Sequence, residues 1–291
     1  MANLQHITDG DDLREFMSRY EEDPLFYHVW HSIKFELEGT FPNTKLSLYS
    51  YRTGNSVLLL GYKKNKITRD FAVLYQHGDF DNDRFDDAFE EFCRFHPFPE
   101  SVMYIGEERL SKAVSAFFKE RLPSAVIESY PTTLFYMTQK EAHSLQYLDA
   151  PSLTAGYSIG SADPEADTEL ITKTWIHSKE NEVEQTRAKL TCFPTSCVRF
   201  NGTPVGFEMI EHIGCLNHLF VLEPHRRKGL ANAIEFDLAR KIIRRGFKVY
   251  KTVELYNTAV LSASARSPLW TAAKDLHGNE VSFVFLVVSR K

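Results

Sequence analysis

The sequence predicts an α/β fold, a mixed sheet built in two tandem units of the same plan. Three observations point there. Helical apolar spacing alternates with period-two or continuous apolar runs, each half shows the order ααβββαβαβ, and 291 residues is about twice a common domain length.

The first half opens with helical patterns from Asp11 to Tyr20 and from Leu25 to Leu37, where Phe26, Val29, Trp30, Ile33 and Phe35 recur at mostly helical spacing. The runs LSLYSY, SVLLLGY and FAVLYQ follow, separated by Gly54-Asn55 and by the charged stretch Lys63 to Asp70. They read as an antiparallel meander. A helix over Asp83 to Phe95, a strand at 101–106, a helix over Glu108 to Arg121 and a strand at 133–138 complete the half. Pro151, Gly156, Gly160 and Pro164 then mark a loop-rich stretch, which places the boundary between units 1–145 and 146–291.

The second half repeats the order. A strand over Ala155 to Ile159 precedes a helix from Pro164 to Ser178, whose first turn is acidic as the helix dipole favours. A helix over Glu180 to Leu190 leads to three strands, TSCVRF, PVGFEMIEH and CLNHLFVL, joined by tight turns. A helix over Gly229 to Arg245, a strand at 247–255, a short helix from Thr258 and a strand at 281–289 follow. Without obvious residue identity, the shared order suggests a duplicated ancestor.

Thirty-four Lys and Arg against 39 Asp and Glu leave a net charge of −5, which argues against nucleic acid or an anionic membrane as partner. The opening residues have no signal-peptide succession and no 18 apolar residues run together, so a cytoplasmic address is expected. Cys93, Cys192, Cys197 and Cys215 lack CxxC spacing. Reduced thiols and no metal site are the expectation.

The strongest local signal is CLNHLFVLEPHRRKGLANAIEFDLARKII, residues 215–243. An apolar strand runs into a turn carrying Arg226, Arg227 and Lys228, then Gly229, then an amphipathic helix. Such a turn aims free N–H groups and the positive end of a helix dipole at one point, as a pyrophosphate requires. Gly229 lets the backbone approach an anion with no side chain in the way. Three cations at a helix start oppose the dipole, so the arrangement is locally unfavourable unless an anion binds.

Arg226-Arg227-Lys228-Gly229-Leu230-Ala231 resembles the Arg/Gln-x-x-Gly-x-Gly/Ala motif of the GNAT acyltransferase superfamily. Trp175, the run NEVEQTR, Phe193-Pro194, Gly202-Thr203-Pro204-Val205, Gly246-Phe247 and Asn257 make residues 155–260 similar to the glycine N-acyltransferase-like branch. The first 140 residues look like a degenerate second GNAT unit. The resemblance implies that acetyl-CoA or another acyl-CoA is a co-substrate, bound between two splayed parallel strands at 216–222 and 248–255. Val221 and Leu222 would offer backbone hydrogen bonds to pantetheine, the amides from Arg227 to Ala231 would hold the pyrophosphate, and Asn257 would contact the carrier. The implied acceptor is a small-molecule amine or amino acid such as glycine, attacked in a ternary complex. A non-catalytic acyl-CoA-binding module and a protein lysine acetyltransferase are the alternatives.

Amine acylation needs a base for the amine, polarisation of the carbonyl, and a proton for the leaving thiolate. Glu223, His218 and His225 at the strand end are the candidate bases. The branch reads Leu-Pro-Glu where this chain has Glu223-Pro224, and a one-residue slip along a strand turns a side chain to the opposite face. In a regular strand only one of His218 and Glu223 faces the cleft, although a bulge would change that. Where many GNAT enzymes place a proton-donating tyrosine, this chain has Ser264.

Overall fold

Helical spacing and strand alternation each produce the element they predict over most of the chain, in a computed structural model that describes residues 4–79, 81–275 and 277–291. The N-terminal unit runs β1 (Gln5–Ile7), α1 (Gly10–Arg19), α2 (Tyr27–Glu38), β2 (Thr44–Thr53), β3 (Ser56–Asn65), β4 (Asp70–His77), α3 (Asn82–Phe95), β5 (Ser101–Glu107), α4 (Glu108–Arg121) and β6 (Val126–Tyr136). After α5 (Gln139–Tyr147) the second unit repeats it: β7 (Tyr157–Gly160), α6 (Thr168–Thr174), α7 (Glu182–Cys192), β8 (Ser196–Phe200), β9 (Thr203–Ile210), β10 (Leu216–Val221), α8 (Leu230–Arg244), β11 (Tyr250–Glu254) and α9 (Thr258–Arg266), then β12 (Thr271–Ala272) and β13 (Ser282–Ser289).

All the strands join one sheet in the order β1-β2-β3-β4-β5-β13-β6-β11-β10-β9-β8-β7, with β12 on β6. Read inward from either edge, the order is the same five strands of one unit followed by the last strand of the other. The units exchange their final strands. β13 pairs antiparallel with β5 from Phe283↔Glu107 to Ser289↔Ser101, and with β6 from Ser282↔Thr133 to Ser289↔Val126. β6 in turn pairs with β11 from Tyr250↔Tyr136 to Glu254↔Thr132.

Both sheet faces are covered, so the N-terminal strands are continuous apolar runs. Along β3, Val57 and Leu59 pack under α1 and α2 with Phe26 and Ile33, while Leu58 and Leu60 pack under α3 and α4 with Phe89 and Phe118. Residues of β13 divide in the same way: Phe283 joins the first cluster, Val284 and Leu286 the second. The core of each unit therefore contains a strand of the other, and unfolding is expected as a single transition. Thr132→Val tests this. It removes the Oγ1 hydrogen bond to the Phe283 carbonyl (2.6 Å, buried) and should cost about 1 kcal/mol. In chemical denaturation, probes in either unit should shift together; separate transitions would show that the exchange does not couple them.

Candidate functional site

β10 and β11 run parallel but pair at one position, Leu216↔Lys251. The corresponding pair in the N-terminal unit, β4 and β5, is closed at four consecutive positions from Asp70↔Val102 to Val73↔Ile105. Beyond Leu216, β10 carries a bulge: its register against β9 shifts between Asn217 and Phe220, and His218 adopts φ +60°. Where the pair parts, a cavity of about 980 Å³ opens. It is lined by Asn217, His218 and Phe220 from one strand and Thr252 to Glu254 from the other.

At the far end of β10 the chain forms the basic turn. Leu222 N–H donates to the Val205 carbonyl (2.8 Å) and so stays in the sheet. The Val221 carbonyl accepts from Arg226 Nε (2.8 Å), and the guanidinium lies over the Phe220 ring at the cavity wall. Lys228 Nζ folds back onto Tyr157 Oη (3.0 Å) and the Pro224 carbonyl (3.2 Å), with Tyr157 Oη 2.8 Å from His225 Nδ1. Arg227, at φ +59°, is exposed and makes no hydrogen bond or ion pair among the described residues. Gly229 caps α8 in the left-handed region, φ +77°, with no side-chain cap. A Cβ built on it meets nothing within 4 Å. Among the described residues no protein acceptor meets the N–H groups of Arg227, Lys228 or Gly229, and those of Leu230 and Ala231 belong to the unsatisfied first turn. These N–H groups form a row of donors without protein acceptors beside a cation without a protein partner among the described residues, and the row fits a diphosphate.

Among its described residues the N-terminal unit has no such place. Its equivalent helix, α3, is capped by Asp81, whose carboxylate accepts from the N–H groups of Asp83 (3.0 Å) and Arg84 (3.4 Å). With its strand pair closed and its helix start occupied by an anion of its own, that unit instead gives the cavity a wall: Phe71, Met103, Tyr130 and Thr132 among others.

Of Glu223, His218 and Ser264, His218 alone lines the cavity. Its Nε2 lies 3.3 Å from Thr174 Oγ1, Nδ1 has no partner among the described residues, and burial lowers its pKa to about 4, so the imidazole is neutral at pH 7. Glu223 is exposed in the 3₁₀ turn Glu223–His225, because β10 ends at Val221 and strand alternation no longer governs its direction. Ser264 is buried on α9 with Oγ unpartnered and off the cavity wall. Asn257 caps α9, its side chain accepting from Val260 N–H, and lines the cavity. Among the described residues no cluster of three or more His, Cys, Asp or Glu is arranged to hold a metal ion.

No family model matches the chain. Solved structures share its architecture along nearly its whole length. A Drosophila protein is 12% identical, covering 98% of this chain and 99% of its own, with a TM-score of 0.76. A tandem GNAT protein from the clavulanic acid biosynthesis pathway is 14% identical over 99% and 98%, with a TM-score of 0.56. A GCN5-related N-acetyltransferase from Kribbella flavida is 14% identical over 89% and 94%, at 0.51. The chain has the tandem GNAT fold.

Within the C-terminal GNAT unit the cavity gathers acids that no motif marks. Glu211 directly follows β9 and is bound to Lys189 Nζ (2.9 Å) and Asn217 Nδ2 (3.1 Å); Lys189 also reaches Glu182 (3.2 Å). Glu254 joins His177 (3.1 Å) and the Tyr256 hydroxyl. Glu208 lies in the centre of β9, wholly buried. Strand alternation gives no signal for it, because Glu208 falls opposite Phe207 and Met209 and reads as a solvent-facing position.

Proposed function

We propose that this chain is an acyl-CoA-dependent N-acyltransferase of the glycine N-acyltransferase-like branch. It would transfer an acyl group from CoA to the amine of a small molecule or amino acid such as glycine, by direct attack in a ternary complex. What supports this most is the row of N–H donors from Arg227 to Ala231 that no protein acceptor meets among the described residues, directly after the strand that parts from β11. Its amides and Arg227 hold the diphosphate, and Asn257 contacts the carrier further in. Acyl-CoA supplies an activated carbonyl; the chain's own residues orient the acceptor, exclude water and move protons. His218, neutral and with Nδ1 unoccupied, is the group we assign to receive the amine's proton. The N-terminal unit, residues 1–145 in our division, encloses the acceptor against residues 146–291. Four cysteines without disulfide partners are consistent with a cytoplasmic enzyme.

Incubation with acetyl- or benzoyl-CoA and a panel of amines should release free thiol, and calorimetry should show one CoA bound per chain. Tight CoA binding without turnover would favour the second reading, a non-catalytic acyl-CoA-binding module. That reading draws on Glu223 and Ser264 lying off the cavity. Absence of CoA binding would reject both.

A further inference from the structure

Glu208 stands between Phe207 and Met209, whose partners on β10 are Phe220 and Asn217, so it faces the bulge made by His218 and Leu219. It is 3% exposed, lines the cavity, and its Oε2 has no hydrogen-bond partner among the described residues. A carboxyl group placed this way is costly unless it holds its proton or performs work. Near it, Lys251 of β11 is ion-paired to Glu235 of α8, and Trp270 Nε1 donates to the other Glu235 oxygen (2.9 Å). Lys251 is also the residue at which β10 and β11 still touch. Glu208 and Lys251 therefore mark the closed end of the groove, the depth at which a flexible arm anchored at the basic turn must stop.

Burial, reinforced by the charge of Glu235 and opposed by Lys251, holds the Glu208 carboxyl well above the usual carboxylate range. It keeps its proton to higher pH than an exposed carboxyl would, with the Lys251 cation close by to steady the carboxylate it becomes. The chain needs such a group, since Ser264 occupies the usual tyrosine position and a serine hydroxyl is a poor proton donor.

We propose that Glu208 donates the proton to the departing sulfur, a role that rests on the acyltransfer reading above. As the amine nitrogen bonds to the carbonyl carbon, the carbon–sulfur bond breaks, and the sulfur takes the bonding pair and the Glu208 proton. Glu208 is left as a carboxylate beside Lys251. The proton shed by the acylated nitrogen returns to it through His218 or cavity water. Acyl-CoA and amine become amide and thiol, Glu208 regains its acid form, and no further reactant is consumed.

Glu208→Gln keeps the shape and removes the proton. Its kcat should fall about 100-fold or more, within the range general acid catalysis supplies. CoA affinity by calorimetry should stay within about threefold of wild type, because the loss is confined to the reaction step. An acyl selenoester of CoA, whose selenolate leaves without a proton, should bring the variant back to within about tenfold of wild type on the same donor. Infrared spectra of the wild-type chain at pH 7 should contain a carboxylic-acid stretch that Glu208→Gln lacks. Should that variant fail to fold, Glu208→Asp, which draws the proton back from the cavity, carries the same comparison. An unchanged kcat, an equal defect on both donors, or no such infrared band overturns the role of Glu208. Wild-type chain that does not bind CoA overturns the acyltransfer reading itself, so the two failures are told apart.

Discussion

Gly229→Asp should abolish CoA binding and leave the fold intact. Gly229 sits at φ +77° with open space where a Cβ would stand, so nothing has to move. The left-handed conformation costs a non-glycine residue about 1–2 kcal/mol, and Asp and Asn bear it best. The added carboxylate would point among the N–H groups that precede α8. At about 5 Å and an effective dielectric near 20, each charge of a bound diphosphate is repelled by about 3 kcal/mol, or roughly 100-fold in affinity. Gly229→Asn is the control, matching shape and backbone strain without charge; its Kd should remain within about tenfold of wild type. Calorimetry with CoA, together with denaturant melts, separates the effects. If both variants bind CoA like wild type, the turn is not where the diphosphate lies.

The basic turn was legible because strand, turn and helix are consecutive in the chain, and the duplication was legible because apolar periodicity is local. The exchange of final strands is not a local property. β6 was read only over its last residues, since Glu128, Ser129 and Pro131 look like a loop, and the strand begins instead at Val126. Pro131 is tolerated because β11 pairs only as far as Thr132, after which Leu255 N–H donates to the Pro131 carbonyl (3.2 Å). β1, with three residues, and β12, with two, are too short to show a period. In the site, the bulge at His218 depends on the register of β10 against β9, which alternation within β10 alone does not fix. Glu208 reads as a solvent-facing strand position until the cavity beside it is known. The cavity wall from Phe71, Met103 and Tyr130 comes from a unit with no motif at all.

Acid should unfold the chain cooperatively, losing most of its stability between pH 6.5 and 4. His28 and His31 lie buried on α2, and His212 lies buried in the turn after β9, stacked on Phe41 and edge-on to Phe71. Burial is the first cause in each case, lowering the three to about 4, about 3 and about 3. Above pH 6.5 they are neutral in both folded and unfolded chains. Below it the unfolded chain takes up protons that the folded chain refuses, so stability falls by about 1.4 kcal/mol per pH unit for each histidine. His218 adds to the same slope. Glu208 and Glu182, raised by burial, act oppositely down to the usual carboxylate range, because the folded chain protonates first. Lys63, lowered by burial to about 7, changes charge above this window and does not offset the loss. His96 is lowered by burial as well, and Asp86 and Glu107 are raised by it, so five histidines against four carboxyls leave a net loss of at least about 1.4 kcal/mol per pH unit, about 3 kcal/mol between pH 6.5 and 4 and most of a stability at the lower end of the ordinary range of about 5–15 kcal/mol. The loss falls on the seam between the units. His31 of α2 packs so tightly on Gly214 that an added Cβ would lie 2.1 Å from its ring. Urea melts at pH 7.5 and 5 should therefore differ by about 2 kcal/mol or more in one shared transition. His212→Phe, which retains the stacking, should reduce the slope by about 1.4 kcal/mol per pH unit. Equal stability at the two pH values would mean that these rings are protonated and paired in the folded chain, His212 with Glu211, whose Oε1 lies 3.7 Å from Nε2 and makes no hydrogen bond to it.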